Sequence, residues 1–209
     1  MHKIEPFEKH AFQYENWFED NKFAYESELL AVKKVLTEDR KTIEIGVGSA
    51  RFASPLGIKM GIDPSKKMLK LAQDKGIIVL DAVAENLPFR EATFHFALMV
   101  TTICFVENLL LSFKEALKIL EPGGSLIIGF IDKNSLIGKL YQERKSKSVF
   151  YQSATFFSTK EIVFYLKKAG FRTFEFFQTI FHDLKEIHQI EPVKKSHGEG
   201  SFVVIKASK

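Results

Sequence analysis

Residues 42–52 read TIEIGVGSARF. Residues 42–47 are β-branched and apolar apart from one acid and stop at glycine, which predicts a short buried strand. Gly46 and Gly48 then predict a tight turn that lets backbone approach a ligand, and residues 48–52 open a helix that Pro55 and Gly57 end early. A glycine turn after a first strand serves several nucleotide-binding folds. A dinucleotide fingerprint needs a third small residue at position 51, where Arg51 stands. The small residue is Ala50 instead, giving E-x-G-x-G-x-A. Glu44 lies two residues before the first glycine, inside the strand, and burying a carboxylate there is costly unless a cation or hydrogen-bond donor meets it. No G-K-[ST] follows, so the turn is not a P-loop.

The pattern repeats downstream. Residues 59–62 predict a second strand, and Asp63 closes it, placed to accept both hydroxyls of a ribose lying across the strand ends. Capping the next helix, ahead of Pro64 and Ser65, is a second role compatible with the first. That helix spans 65–75, with Met68, Leu69, Leu71 and Ala72 on one face and Gly76 as its stop. Residues 77–80, 94–100 and 125–131 predict three more strands, the last after the Pro122-Gly123-Gly124 turn, and 107–120 predicts a helix between the last two. This alternation implies a doubly wound, mostly parallel sheet of the α/β class. Upstream, 11–36 reads as helix with a break at Asn21, followed by a charged turn over 37–41. Beyond Asp132, 134–148 is polar and basic, 159–169 is an amphipathic helix capped by Ser158 or Thr159, and 171–181 and 201–207 predict a closing hairpin.

Composition bounds the function. The 209 residues are 45% hydrophobic and 27% charged, with 21 Phe, as in a globular protein of one domain. Thirty basic residues against 26 acidic ones give a net charge of +4, with only short clusters such as residues 144–147, so no nucleic-acid partner is expected. One cysteine, Cys104, forms no intramolecular disulfide and no metal cluster; a reducing cytoplasm is the expected location, with no metal. The N-terminal ten residues carry charges where a signal peptide needs apolar residues, and no stretch nears the roughly 18 apolar residues of a membrane span.

Taken in order, these segments resemble the class I S-adenosylmethionine-dependent methyltransferases, and among them the small-molecule type 11 group. IEIGVGSARFA (43–53) is similar to the first family motif, GIDPSKKMLKLAQDKG (61–76) to the ribose-binding strand and helix, AENLPF (84–89) to the adenine loop, and ILEPGGSLII (119–128) to the turn into the fifth strand. TKEIVFYLKKAGF (159–171) is similar to the late helix that precedes the antiparallel end of the sheet. The resemblance covers residues 14–132. It implies a seven-stranded Rossmann-like sheet with an antiparallel C-terminal hairpin, in one domain: a helical lid (1–36), a cofactor-binding core (37–132) and a substrate-side, sheet-completing region (133–209).

It also implies a site. Glu44, Gly46, Val47 and Gly48 would hold the methionine end of S-adenosylmethionine, Asp63 with Pro64 the ribose, and Ala84 and Glu85 the adenine edge, with Met68 or Leu69 packed nearby. Met99, Thr101 and Thr102 would lie beneath the sulfonium, Thr102 toward the acceptor. The product would be S-adenosylhomocysteine. Three departures stand out: Ala50 replaces a third glycine, Val83 replaces the acid that accepts from the adenine amino group, with Asp81 as substitute, and His95 replaces an acid at the start of the fourth strand. The segment from Tyr14 to Phe18 resembles a Y-D-x-W-F stretch that closes over the site in relatives. Tyr14 and Trp17 would there shape an acceptor pocket or meet a cationic acceptor through their rings; simple packing on the sheet is the alternative. Phe150, Tyr151, Phe156 and Phe157 are candidates for the opposite wall.

Methyl transfer from a sulfonium is an in-line displacement in which the donor carries the activated group, so the protein chiefly positions the reactants. No base stands out: His182 and His188 read as surface histidines, His95 as structural and Cys104 as a buried small residue. The expected function is methyl transfer to a small-molecule amine, hydroxyl or carbon by a monomer or homodimer. Two other readings are cofactor binding without catalysis and an RNA or protein acceptor. Only residues 144–147 favour the last, since Met99-Val100-Thr101-Thr102 stands where an N-P-P-[YF] motif would.

Overall fold

In the computed structural model, which describes residues 3–37 and 40–209, the strand ends that carry the acids converge. Thr42–Ile45 (β1), Met60–Asp63 (β2), Ile78–Asp81 (β3), Phe94–Val100 (β4) and Leu120–Ile131 (β5) run parallel. Thr173–Thr179 (β6), the two-residue Lys194–Lys195 (β7) and Phe202–Ser208 (β8) complete one eight-stranded sheet in the order β3-β2-β1-β4-β5-β8-β6-β7. β8 lies antiparallel to both β5 and β6, which is the expected C-terminal hairpin inserted against the parallel half. β7 adds one strand to the seven expected. The order reverses between β1 and β4, and such a switch point opens a crevice at the carboxyl ends of its strands.

Among the described residues the α-helices are Glu5–Lys9 (α1), Ala11–Asp20 (α2), Lys22–Lys33 (α3), Lys66–Asp74 (α4), Leu109–Ile119 (α5), Leu136–Glu143 (α6) and Thr159–Ala169 (α7). Side chains on a strand alternate between faces, and the buried residues follow that rule. Ala97, Met99, Leu126 and Ile128 pack with Phe113 and Ile162 of α5 and α7. Leu98, Val100, Ile127 and Val204 pack on the other side with Val32 of α3 and Leu69 of α4.

Side-chain caps set several helix starts. Ser65 accepts from the Met68 amide at 3.2 Å, and Ser158 and Glu161 form a capping box at α7, whose far end stops at Gly170 with φ +116°. Asn21 separates α2 from α3 and donates its side-chain amide to the Trp17 carbonyl.

Four expectations need correcting. Residues 48–57 form successive turns, not a helix, because Gly46, Gly48, Ala50 and Gly57 all take positive φ. The polar stretch 134–148 contains α6, which Ser135 caps and which buries Ile137. α1 falls inside the expected helical lid but ahead of residue 11, where the helical periodicity begins. β5 begins at Leu120, before the Pro-Gly-Gly turn: Leu120 pairs with Phe94 and Ser125 with Phe96, so the residues between loop out of register. Residues 38 and 39 of the expected charged turn lie outside the described residues.

Candidate active site

The glycine loop spends its amides on its neighbour strand. Gly46 and Val47 both donate to the Ile62 carbonyl at 2.8 Å, and Gly48 donates to Asp63 Oδ2 at 2.9 Å. A loop whose N–H groups are engaged this way does not bind phosphate as a P-loop does; it suits a ligand with cationic ends. Gly46 (φ +74°) has no room for a side chain, since a Cβ would overlap the Thr102 methyl and hydroxyl. Gly48 (φ +51°) faces the Tyr14 hydroxyl instead.

Two acids lie at this loop. Glu44 is only 2% exposed, and its Oε2 is buried without a hydrogen-bond partner. Burial drives its carboxyl well above the usual range, the Ala53 amide opposes this, and the Asp63 charge adds to it. An orphaned carboxylate oxygen behind a ligand loop is what a cationic ligand group would complete. Asp63 accepts from Gly48 and, through Oδ1, from the Ser65 amide at 2.8 Å. Burial lifts it to about 6 despite these two bonds, with the charges of Glu8 and Asp81 contributing.

A cavity of about 830 Å³ opens at these strand ends. Of the residues expected at the site, Gly46, Gly48, Asp63, Pro64, Met68, Ala84, Glu85, Thr101, Thr102, Tyr14 and Trp17 line it. Glu44, Val47 and Met99 do not. Glu44 sits behind the loop, Val47 packs into the core beside Gly61, and Met99 points from β4 into the opposite apolar layer, one residue out of phase with Val100. Thr101, which follows β4, holds φ +53°, a backbone region that β-branched residues rarely adopt. Glu85 turns its carboxylate toward the start of α5, where it accepts from the Glu107 and Asn108 amides at 2.7 and 3.0 Å. Val83 lines the cavity; Asp81 pairs with Asp63 in the sheet register outside that lining.

The roof is aromatic and clamped. Tyr14 packs edge-on against Phe18 at 5.1 Å and Phe7 at 5.6 Å, and meets Phe150 at 5.9 Å. Arg51, which breaks the dinucleotide pattern, ties the glycine loop to α2: its guanidinium meets Glu15 at 2.9 Å and Glu19 at 3.0 Å and covers the Phe18 ring at 5.0 Å. Burial raises the Glu15 carboxyl, but hydrogen bonds from Ser49 and Arg51 and the Lys75 charge outweigh it and hold that group below its usual value.

The base candidates lie elsewhere. His182 pairs with Glu191, His95 approaches Glu121 at 3.7 Å, and neither these nor His188 lines the cavity. Cys104 donates to the Thr101 carbonyl at 3.2 Å, and burial pushes its thiol up to about 12. Phe150 and Tyr151 join the main cavity, whereas Phe156 and Phe157 line a small neighbouring pocket. Sequence reasoning missed Glu28, Phe7, Phe105 and Tyr141 in the lining and Arg51 as the clamp. Only Glu28 left a trace: an acid on the face of α3 that Ala24, Ala31 and Val32 bury.

A doubly wound sheet with acids at the ends of β1 and β2 and an engaged glycine loop is the frame of a nucleoside-binding transferase. The family model of the type 11 methyltransferase domain matches residues 43–128. A crystal structure from Thermotoga maritima, described as a SAM-dependent methyltransferase and possible histamine N-methyltransferase, is 50% identical, with a TM-score of 0.96 over 99% of both chains. An uncharacterized protein of Methanocaldococcus jannaschii is 44% identical over 97% of this chain and 98% of its own length. The demethylmenaquinone methyltransferase of Chlorobaculum tepidum is 28% identical over 68% of this chain and 69% of its own. The chain belongs to the class I S-adenosylmethionine-dependent methyltransferases, in the type 11 family. Its methyl donor is S-adenosylmethionine, and the demethylated product is S-adenosylhomocysteine.

Proposed function

We propose that this enzyme methylates a small molecule held beside the donor in the main cavity. The observation that carries the reading is that donor-end residues and an aromatic wall line a single volume of about 830 Å³, near the upper end of the roughly 300–1,000 Å³ of small-molecule sites. That leaves room for two ligands. The helices α1 and α2 contribute to the wall above the glycine loop, an arrangement suited to enclosing a small acceptor rather than threading a polymer. The acceptors in the relatives' names, histamine and demethylmenaquinone, are small molecules as well.

The donor supplies an activated methyl group. On this reading Glu44 acts on the donor's ammonium from behind the glycine loop, through a water, Asp63 turns from the Gly48 amide toward the ribose, and Ala84 offers backbone to the adenine edge. Met68 packs beside the base, and Thr101 and Thr102 border the transfer point. The aromatic roof excludes water, which strengthens each of these charge interactions.

The test is a labelled-methyl transfer screen over pooled metabolites, with RNA and protein in parallel. Label is expected in the small-molecule fraction. Label in RNA or protein alone would sink the reading.

A further inference from the structure

On α3, Glu28 lies among Ala24, Ser27, Ala31 and Val32, the residues this helix buries. It is 4% exposed, yet it borders the main cavity. Among the described residues, burial is the one influence that shifts its carboxyl, with no hydrogen bond or charge opposing it, and its oxygens are not among the fully enclosed unpartnered atoms, which belong to Glu44, Ser153 and Thr179. Burial alone lifts that group to about 8. The lysine in the lining, Lys3, donates to the Val106 carbonyl at 2.8 Å, and Arg144 stands exposed.

The surroundings of Glu28 are aromatic. Burial holds the phenols of Tyr14 of α2, Tyr141 of α6 and Tyr151 in the neutral form, with the Glu28 charge a smaller contribution to each, and all three line the cavity. Tyr141 and Tyr151 stack at 4.8 Å. Ring faces attract cations, more strongly away from water, and a buried carboxylate without a partner is tolerated where a ligand cation completes it. An alcohol or a carbon acid would bring Glu28 no cation to favour its charged form.

We propose that Glu28 receives the amino group of a primary or secondary amine acceptor in this cavity and removes the proton that blocks its lone pair. The proposal rests on the methyltransferase reading above and names its acceptor class. The acceptor enters as an ammonium. Its N–H bond breaks, the proton passes to Glu28, and the electron pair remains on nitrogen. That pair forms the new bond to the methyl carbon while the carbon–sulfur bond breaks and its pair stays on sulfur. The methylated product carries the positive charge that the sulfonium loses, and Glu28 returns its proton to water. A carboxyl group near 8 is matched to an ammonium made more acidic by burial.

The ionisable groups bordering the same space are Lys3, Tyr14, Asp20, Asp63, Glu85, Glu107, Tyr141, Arg144 and Tyr151, of which Tyr14, Tyr141 and Tyr151 feel the Glu28 charge.

The experiment offers labelled S-adenosylmethionine and the intact chain three acceptor pools: alkylamines and arylalkylamines, the matching alcohols and phenols, and 1,3-diketones as carbon acids. Label is expected in the amines. Label in another pool alone overturns the amine inference and leaves small-molecule methyl transfer standing, whereas donor binding with no label in any pool overturns both. For the labelled amine, Glu28→Gln is expected to lower kcat/KM by about tenfold or more, with donor affinity within about twofold of the parent. The rise of kcat/KM with pH should move from near 8 in the parent to the acceptor's own ionisation, a shift that a purely structural role would not produce. Glu28→Asp should recover part of the loss. An unchanged kcat/KM and pH profile in Glu28→Gln overturns the role of Glu28, and if that variant does not fold, an unchanged kcat/KM and pH profile in Glu28→Met does so.

Discussion

Glu44 and Asp63 stand out in sequence because each puts a carboxylate where strand periodicity asks for an apolar side chain. Their differing states are visible only in three dimensions, where Glu44 keeps an orphaned oxygen and Asp63 holds two backbone amides. Both carboxyls sit above their usual range, so a cationic donor should release protons as it binds. Calorimetry in buffers of different ionisation enthalpy is expected to detect this release, with affinity rising as pH passes through about 6, the Asp63 value. Affinity independent of pH between 5 and 8 would contradict it. Asp63→Ala should weaken donor binding more than Glu85→Ala, because the Glu85 carboxylate is occupied at the start of α5; equal losses in the two titrations would count against the ribose role. Gly46→Val should abolish donor binding by pushing Thr102 into the cavity, and calorimetry showing parental affinity would refute the placement of the loop. Glu28 left only a trace, an acid on the buried face of α3, because the helix phase that buries it depends on where α3 docks.

Elements with a strong period were readable. α4, α5, α7 and the five parallel strands follow from apolar spacing and caps, and the antiparallel finish follows from two apolar runs separated by a polar stretch. The loop after β1 was misread because helix propensity over 48–52 competes with Asp63, which draws the Gly48 amide to β2 instead. Arg51 gave evidence against one cofactor without showing what it holds, since its partners Glu15 and Glu19 lie more than 30 residues upstream. Arg51→Ala should leave a half-buried Glu15 short of its charged partner and cost about 2 kcal/mol. It should also loosen α2, so that limited proteolysis cuts within 10–20 faster than in the parent; equal cutting rates would mean that α2 is held by its aromatic contacts alone.

Across the whole molecule three carboxyls that folding raises, those of Glu28, Glu44 and Asp63, act together on stability. A carboxyl raised by folding contributes stability that is complete below its unfolded value and is lost as pH climbs through the folded one. Asp63 loses its share through about 6 and Glu28 through about 8, with Glu44 also raised. Glu161, held at about 2 by its bonds to Lys133 and Ser158, works in the opposite sense, but its effect is complete above the usual carboxylate range. Thermal scans without ligand are therefore expected to show Tm falling from pH 5 to 9, and Glu28→Gln should flatten the upper part of that fall. A parental slope in the variant would remove Glu28 from this account. The overall architecture was legible because order and alternation suffice to set a doubly wound sheet; the roof was not, because it depends on rings from α1, α2 and residues 141–151 meeting across the chain.

That roof carries an optical consequence. Trp17 is the chain's single tryptophan, half-buried in the cavity lining and edge-on to Phe18 at 5.2 Å. The protein's entire indole emission thus originates at the mouth of its own reaction chamber. Its colour and quenching form a built-in gauge by which arrival of the donor, arrival of the acceptor and departure of the products can be timed without attaching a dye.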